Sequence, residues 1–364
     1  MKRHLAGFDI GGTKLAFVLA EETGSIIYRK KDRTDVSSDG FSDYKDGIGY
    51  HRVSEQMIEL LKQGIAETGT ESILGIGIDS AGPLKDGDIR NSTNIKPHHL
   101  SDATRDRPFY IPLVRPLKEE FSVPIKLMND CVASVLGEVY YGIGKDVPNK
   151  DDLYIVYVTL STGMGGGVWD GGHLLSGKHG NAAEVGHFFV AENGRECGCG
   201  NRGCAEAYLS GTGIAGSARA ALAETNPDLT ETEGSILIRM LKEVACKMGH
   251  PQAEIAPAEL VNLVSSPVVF SAADAGDALS RRVIAEACRY GGIAFADIAN
   301  AYNPQVITVG GPLAINHPSI LPRISKEMQK HVTVESPRIQ LTPLGDQVAE
   351  YGAIVLAQQA ADHM

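Results

Sequence analysis

The 364-residue chain has few cysteines, few aromatic residues and less positive than negative charge. Its 34 lysines and arginines are outnumbered by 45 aspartates and glutamates, and the net charge of −11 disfavours nucleic acid or an anionic membrane as a partner. No run of about 18 apolar residues is present, so we expect no membrane-spanning helix. Asp9 and Lys14 interrupt the apolar N-terminus, and no small-residue cleavage site follows. These absences predict a cytoplasmic protein.

Six cysteines in so long a chain do not suggest a disulfide framework. Three of them nevertheless lie within eight positions, and a histidine stands ten residues before the first. His187, Cys197, Cys199 and Cys204 form a ligand set that suits tetrahedral Zn²⁺ and leaves no open position, which predicts a structural ion. A redox pair is not expected because the cluster lacks C-x-x-C. Packed thiols without a metal are the alternative.

Apolar runs along the chain predict strands alternating with helices, and therefore an α/β fold. A strand, a glycine-rich turn and a second strand occur at residues 5–20 and again at 153–169, which suggests two related lobes. The length is sufficient for two domains. Residues 31–50 are polar and contain glycine, so they are expected to form a loop. Helical patterns dominate residues 212–302, and a further helix is predicted at 347–361.

Three glycine turns each follow a predicted buried strand. They are Asp9–Lys14, Thr162–Gly167 and Gly310-Gly311-Pro312. Glycines without a Cβ let a phosphate approach backbone N–H groups closely. Taken alone, the first turn is better explained as a hairpin turn, and the second is equally weak evidence for a phosphate site. Their repetition favours convergence on one nucleotide, and both interpretations stay open.

Carboxylates stand beside several of these features. Asp130 ends a predicted strand and begins a helical pattern, so it is either catalytic or an N-cap, and the two roles are not exclusive. Glu184 and Glu206 flank the cysteine cluster. Together with His187 they could offer hydrogen bonds to a polyhydroxylated molecule, and the alternative is that both are surface glutamates without a role.

The motifs "GFDIGGTK", "MND", "STGMGGG", "AAEVGH", "CGCGNRGCAEAYLSG" and "ANAYNPQVITVGGP" occur in this order along nearly the whole chain. The chain thereby resembles the ROK family of sugar kinases. The resemblance implies a two-lobed α/β fold of the actin/hexokinase/Hsp70-like ATPases, with duplicated ribonuclease H-like lobes. It places residues 1–125 and about 345–364 in a small lobe, and residues 126–344 in a large lobe.

The resemblance also implies roles for individual residues. The general base that takes a proton from the attacking sugar hydroxyl would be Asp130. Structural zinc would be bound by His187, Cys197, Cys199 and Cys204. The sugar would be held by Asn94, Asn129, Asp130, Glu184, His187 and Glu206. ATP, with Mg²⁺ near Asp9, would be bound by Asp9, Gly11, Gly12, Thr13, Lys14, Thr162, Gly163, Gly165, Gly310 and Gly311.

The implied function is an ATP-dependent hexose kinase, with glucose and its 6-hydroxyl as the leading expectation. An N-acetylhexosamine, mannose, allose or fructose kinase is the alternative, and a non-catalytic sugar-binding regulator or ATPase is less favoured. Family resemblance further implies a homo-oligomer, either a dimer or a tetramer. Ser161 and Ala183 depart from glycines usual in the family, and the tryptophan often found shortly after Asn94 in its glucokinases is missing. We expect loss of zinc to weaken sugar binding more than contacts at the glycine turns, which are far from the cluster in sequence.

Overall fold

The computed structural model describes residues 2–92, 95, 97, 107–178, 180–225, 235–249 and 256–362. The chain divides into two compact units. Unit 1 comprises residues 1–157, 167–183 and 342–364, and unit 2 comprises residues 158–166 and 184–341. These units place residues 126–157 with the N-terminal part of the chain, whereas the predicted small lobe ends at residue 125. The lobe boundaries derived from the family stay a prediction.

Strands and helices alternate as the sequence patterns predict. The strands are β1 (Arg3–Ile10), β2 (Leu15–Ala20), β3 (Ile26–Asp32), β4 (Phe41–Tyr44), β5 (Gly47–Tyr50), β6 (Ser72–Ser80), β7 (Leu84–Lys85), β8 (Asp88–Arg90), β9 (Phe109–Pro112), β10 (Ile125–Asn129), β11 (Tyr154–Leu160), β12 (Met164–Asp170), β13 (His173–Leu174), β14 (Val306–Gly310) and β15 (Arg338–Leu341).

The helices are α1 (Arg52–Thr68), α2 (Val114–Phe121), α3 (Asp130–Tyr140), α4 (Gly211–Thr225), α5 (Ile236–Lys247), α6 (Pro257–Asn262), α7 (Ser266–Asp274), α8 (Ala278–Tyr302), α9 (Pro312–Asn316), α10 (Ile320–Met328) and α11 (Val348–Asp362). Short 3-10 turns occur at Lys150–Asp152, Val185–His187, Ala205–Ala207 and Gly345–Gln347. None of the helices in the described part of the chain is long and apolar enough to cross a membrane.

The main sheet of unit 1 has the order β10-β6-β1-β2-β3. Strands β1, β2 and β3 form the antiparallel meander that the short apolar runs predict, while β1, β6 and β10 run parallel. All of β2 is buried because the sheet carries α1 on one side and α11 on the other. The carboxyl ends of the three parallel strands therefore lie at one edge of the sheet.

Close packing of α11 against this sheet depends on glycines. A Cβ at Gly75 or Gly77 in β6 would overlap the α11 backbone at Ala357 or Ala353, and Gly352 is packed in the same way against Ala133 in α3. These positions have no unusual backbone angle, so the requirement is for space. The last helix in the sequence is thus part of the core beneath the first strand.

The predicted loop at residues 31–50 is partly wrong, because β4 and β5 form a hairpin there. Lys45 makes the turn with a φ of 51°, and the rings of Phe41 and Tyr50 pack with centroids 5.0 Å apart. The hairpin joins the sheet β4-β5-β9-β8-β7 through β9, which comes about 60 residues later. Sequence periodicity does not reveal a strand of four residues that is stabilised by so distant a partner.

The remaining sheet has the order β13-β12-β11-β14-β15, and the division between the units passes through β11 and β12. The hairpin predicted at "GGVWDGGHLL" is confirmed by the pairing of Trp169 with Leu174. Helices α4 to α8 confirm the predicted helical region. The segment 222–268 lies partly outside the described residues.

Candidate active site

Three aspartates lie at the carboxyl ends of the parallel strands in unit 1. Asp9 and Asp79 are direct neighbours in the register of β1 and β6, and Asp130 immediately follows β10. We call these three residues the carboxylate edge. The carboxyl ends of parallel strands are the usual location of ligand sites in open α/β sheets.

Asp79 is the member of the carboxylate edge that sequence reasoning missed. It is fully buried, no N–H or hydroxyl of the described residues donates to its carboxyl oxygens, and its side-chain hydrogen bond is with the Asp9 carboxyl. Burial raises its pKa well above the usual value, and the charges of Asp9 and Asp130 raise it further. The available signal was an aspartate ending the apolar run "SILGIGID", which a buried strand accommodates only with a partner or a ligand.

Asp9 is mostly buried beside it, with 18% of its side chain exposed. Burial raises the pKa of Asp9 to about 6, while the Lys14 ammonium group, 3.6 Å from the carboxylate, lowers it. Asp9 therefore still ionises near neutral pH and can meet a cation at the surface of unit 1. A partly exposed carboxylate of this kind fits Mg²⁺, which prefers oxygen ligands and retains several waters.

Asn129 resolves the question of whether Asp130 caps α3. The Asn129 side chain accepts hydrogen bonds from the backbone N–H groups of Cys131 and Val132, at 2.9 and 3.3 Å, and is the N-cap. Asp130 is the first helical residue. Burial raises the pKa of its carboxyl, against the opposing hydrogen bond from the Cys131 N–H. Asp130 Oδ1 shares the Cys131 N–H with Asn129, at 2.8 Å, so Asp130 contributes to the helix start without being its N-cap, and a catalytic role stays a prediction.

The first glycine turn connects β1 with β2 as a tight hairpin. The Gly11 N–H donates to the Lys14 carbonyl at 2.9 Å, and the Thr34 hydroxyl donates to the Gly11 carbonyl at 2.7 Å. Gly12 and Thr13 complete the turn, and the Thr13 side chain is exposed. The hairpin interpretation is thus satisfied, and a phosphate role for the same backbone stays a prediction.

The cysteine cluster of unit 2 brings its four predicted ligands together. The ligand atoms of His187, Cys197, Cys199 and Cys204 all lie within 4.8 Å of one another, with His187 Nδ1 3.8 Å from Cys197 Sγ. We call residues 187–204 the zinc-binding loop, after the ion that the sequence analysis predicts there. Gly203 turns the loop at a φ of 81°, where a Cβ would overlap the Ala191 carbonyl.

The pKa values and the donor set of this loop favour a bound metal over packed thiols without one. Burial raises the pKa of Cys197 to about 12 and also raises that of Cys204, whereas the backbone N–H of Asn201 lowers that of Cys199. Three sulfurs and an imidazole at this spacing match the Cys₃His donor set of structural zinc. An ion would stabilise the thiolates that burial disfavours.

The expected sugar-binding residues of unit 2 stand next to this loop. Glu184 and His187 are exposed at the two ends of the 3-10 turn Val185–His187. Glu206 lies in the following 3-10 turn. Its Oε2 accepts a hydrogen bond from the Met164 N–H at 2.9 Å, and its Oε1 is 3.6 Å from Cys197 Sγ.

The contact of Glu206 with Met164 corrects the expectation that the zinc-binding loop is remote from the glycine turns. The second turn, which carries Thr162, Gly163 and Gly165, lies against the loop. It is also held by the start of α4, because the Gly211 N–H donates to the Ser161 carbonyl at 2.7 Å and the Thr212 hydroxyl donates to the Thr162 carbonyl at 2.8 Å. Positions far apart in sequence meet here within unit 2.

The third glycine turn ends β14. Gly310 is the last residue of the strand, and Gly311 is the N-cap of α9 with a φ of 86°. A Cβ at Gly311 would overlap the Leu160 carbonyl, so the turn requires glycine both for its conformation and for space. The last predicted site residue, Asn94, lies outside the described residues.

Comparison with known proteins agrees with this arrangement. The model of the ROK family matches residues 5–360. The chain belongs to the ROK family.

A glucokinase of Pyrobaculum calidifontis is 30% identical over 360 residues, which cover 98% of this chain and 95% of the relative. An N-acetylmannosamine kinase of Escherichia fergusonii is 34% identical over 215 residues, which cover 59% of this chain and 64% of the relative. The crystal structure of a ROK family glucokinase from Streptomyces griseus in complex with glucose and AMPPNP matches with a TM-score of 0.66 and 25% identity, covering 98% of this chain and 99% of that chain. The predicted α/β class and actin/hexokinase-like fold are confirmed.

One departure from the ROK pattern has a visible structural consequence. Ala183 replaces the usual glycine immediately before Glu184, and its φ is 59°. An alanine in this left-handed region is strained by roughly 1 kcal/mol relative to glycine. The chain thus holds the start of the Glu184–His187 turn in a conformation for which glycine is better suited.

Proposed function

We propose that the protein is an ATP-dependent hexose kinase that transfers the γ-phosphate of ATP to a sugar hydroxyl, with glucose and its 6-hydroxyl as the leading substrate. The similarity to glucokinases over nearly the whole chain supports the sugar class. The shorter match to an N-acetylmannosamine kinase supports an N-acetylhexosamine as the second candidate. Mannose, allose and fructose are the further alternatives within the family.

Asp130 is proposed as the general base. A carboxylate in hydrogen-bond reach of one sugar hydroxyl takes its proton as the oxygen attacks phosphorus. The raised pKa of Asp130 moves it toward the range in which a base is useful. Asn129 supplies the helix cap and orients the first turn of α3, which makes it a second candidate for contact with the sugar.

Asp9 is proposed to orient Mg²⁺ through water, and the ion would neutralise phosphate charge. Lys14, close to Asp9, adds a positive charge at the first glycine turn. The first turn, Gly11–Lys14, and the second turn, Thr162–Gly165, would present backbone N–H groups to the phosphates, and Gly310-Gly311 would lie near adenosine. Catalysis of this kind depends on positioning and electrostatics, with little covalent chemistry for the protein to do.

Glu184, His187 and Glu206 are proposed to hold sugar hydroxyls. Structural zinc bound to His187, Cys197, Cys199 and Cys204 would fix the loop that presents them, without taking part in the chemistry. The His187 Nδ1 atom faces Cys197, so its Nε2 atom is the one proposed to reach a sugar. Association into a homo-oligomer stays a proposal that rests on the family.

The observation that carries the proposal is the position of Asp130 at the carboxyl end of β10, directly after the N-cap Asn129 and at the sheet edge that also carries Asp9 and Asp79. The test is ADP release with ATP and Mg²⁺ across a panel of glucose, N-acetylmannosamine, N-acetylglucosamine, mannose, allose and fructose. Phosphorylation of one hexose well above the background rate is expected. A flat panel would favour the non-catalytic sugar-binding regulator, which the same samples would reveal by sugar binding without turnover.

A further inference from the structure

Met164, in the second glycine turn, is held on both sides of its backbone by residues around the zinc-binding loop. Its N–H donates to Glu206 Oε2 at 2.9 Å. Its carbonyl lies so close to Gly186 that a Cβ at Gly186 would overlap it. Gly186 directly precedes His187, a predicted zinc ligand. The turn and the loop are therefore in contact at the level of the backbone.

The Glu206 carboxylate joins the two elements. One of its oxygens binds the Met164 amide, while the other lies 3.6 Å from the Cys197 sulfur. The 3-10 turn Ala205–Ala207 places Glu206 two residues after the ligand Cys204. A shift of either cysteine is thus transmitted to the Met164 amide through one short and well-ordered segment.

Gly163 shows that the space beside the turn is shaped for this carboxylate. A Cβ at Gly163 would lie 2.6 Å from Glu206 Oε2, although the backbone of Gly163 is in an ordinary region. A glycine also lets the peptide plane between residues 163 and 164 rotate easily when nothing holds it. The plane is held at both ends, because the Ser161 N–H donates to the Gly163 carbonyl at 2.9 Å and the Met164 N–H donates to Glu206. Glu206 is thus the partner that fixes the amide end of this plane.

The other peptide groups of the turn have separate anchors. The Ser161 and Thr162 carbonyls accept hydrogen bonds from Gly211 and Thr212 at the start of α4. Loss of Glu206 is therefore expected to leave the Met164 amide without its acceptor, while the Gly163 carbonyl keeps the hydrogen bond from the Ser161 N–H and the rest of the turn stays in place. This makes the contact a local control on the protection of one backbone amide.

We infer that Glu206 is a positioning residue that couples the zinc-binding loop to the second glycine turn, so that the metal and the nucleotide site share one structural element. The contact does not depend on what the protein phosphorylates. Its consequence for nucleotide affinity rests on the proposed function. Glu206 would thus position the Met164 amide in addition to its proposed contact with a sugar hydroxyl.

Hydrogen exchange of peptides covering residues 160–168 tests the coupling in zinc-loaded protein. Glu206→Ala should increase the exchange rate of the Met164 amide by about tenfold or more, because the amide loses a charged acceptor. Glu206→Gln retains a carbonyl acceptor and should stay within about threefold of the wild-type rate. Glu192→Ala is the matched control, since Glu192 is an exposed carboxylate on the same loop. An unchanged Met164 rate in Glu206→Ala would overturn the inference.

Gly163→Ala provides an independent variant if Glu206→Ala loses zinc or unfolds. The new Cβ pushes the Glu206 carboxylate away from Met164 while all zinc ligands remain. Faster exchange at Met164 with full zinc content is expected. Normal exchange in this variant, with the protein folded, would equally contradict the coupling.

Calorimetric binding of Mg²⁺–ADP without sugar measures the consequence for the nucleotide. Glu206→Ala should weaken ADP binding by about tenfold and Glu206→Gln by less than about threefold, because only the first loses the acceptor for Met164. Faster exchange with unaltered ADP affinity would refute the nucleotide part of the inference. Failure of the wild-type protein to bind ADP would instead contradict the proposed kinase function, and the exchange experiment would still decide the coupling.

Discussion

The carboxylate edge of unit 1 and the zinc-binding loop of unit 2 assemble their polar groups in different ways. At the edge, the register of β1, β6 and β10 fixes the three aspartates, and no short sequence segment contains more than one of them. In the loop, 18 consecutive residues bring four ligand atoms within 4.8 Å. One site is a product of long-range strand pairing, and the other is a product of local turns.

The difference extends to the source of stability. Burial raises the pKa of all three aspartates, so the sheet holds them in an environment that disfavours their charge. Burial also raises the pKa of Cys197 and Cys204, but there an ion can supply the missing opposite charge. The carboxylate edge therefore depends on the stability of the sheet to keep its buried acids together, whereas the zinc-binding loop depends on a bound ion to keep its thiolates together. The following predictions test that contrast.

The largest effect is expected from Asp130→Asn. The substitution nearly preserves shape but removes the base, and kcat should fall by about 10²–10⁴ with a smaller change in sugar affinity. Steady-state kinetics with the best sugar of the panel measures both. Asp170→Asn is the control, because Asp170 is an exposed aspartate of unit 1 at the end of β12. Near-normal turnover of Asp130→Asn would limit this residue to a structural role.

Removal of a zinc ligand is expected to have the next largest effect. Purified wild-type protein should contain one zinc ion per chain at the single Cys/His cluster found in the described residues. Cys199→Ser should lower zinc affinity by more than about 100-fold, since a hydroxyl is a poor ligand beside thiolates. The melting temperature and sugar affinity should fall with it, which elemental analysis, thermal melts and sugar titration would measure.

Cys246→Ser is the control for that experiment, because Cys246 is also an exposed free thiol but lies outside the cluster. It should retain zinc and sugar affinity. Wild-type protein that is active without zinc would refute the metal assignment. The three cysteines would then be ordinary packed thiols.

A smaller effect is expected in the pH dependence of stability. Burial raises the pKa of Asp9 from 3.8 to about 6, so between these values the folded state binds a proton that the unfolded state has released. The free energy of unfolding should therefore fall as pH rises through this window, by roughly 2–3 kcal/mol at most from Asp9. Asp79, with its pKa raised in the same direction, continues the trend to higher pH.

Asp79→Asn should reduce this dependence. The amide removes one buried acid whose raised pKa contributes to the trend, and it keeps a donor for the side-chain hydrogen bond that already lowers the pKa of Asp9. The free energy of unfolding, measured by urea denaturation between pH 4.5 and 7.5, should decline less in the variant than in the wild type. The difference should be about 1 kcal/mol or more over the range, while Asp170→Asn should follow the wild type. A parallel decline in all three proteins would show that the carboxylate edge does not govern the stability of unit 1.

The smallest effect is expected from Lys14→Met. The ion pair between Lys14 and Asp9 spans 3.6 Å, and the lysine side chain is 41% exposed. Pairs of this kind contribute less than about 1 kcal/mol, so the urea midpoint at neutral pH should barely move. A loss of several kcal/mol would mean that the carboxylate edge depends on this cation more than on the strands.

The local site was more predictable than the distributed one. The spacing and ligand types of His187, Cys197, Cys199 and Cys204 predicted a cluster whose ligand atoms do lie together. The glycine turn after the first apolar run placed Asp9 at a strand end, and the strand-to-helix junction placed Asp130 directly after β10. Asp79 was missed because only the register of β1 with β6 shows that it faces Asp9. Patterns in a single segment carry no information about which strand will be its neighbour.

The same reason explains the other errors. Strands β4 and β5 are stabilised by a partner far along the chain, so their four-residue segments look like loop in isolation. The hydrogen bond between Glu206 and Met164 joins residues 42 positions apart. Sequence analysis placed both residues in functional motifs but could not show that the motifs touch.

The packing of α11 has a consequence for biosynthesis. Strands β1 and β6 lie directly beneath this helix, and Gly7, Gly75 and Gly77 are shaped to its backbone or side chains. A ribosome makes β1 well before α11, with unit 2 in between. The N-terminal sheet thus emerges with an apolar face that stays uncovered until α11 has been made, which exposes it to chaperones and to aggregation during that part of synthesis. A chain stopped before residue 348 lacks that cover altogether.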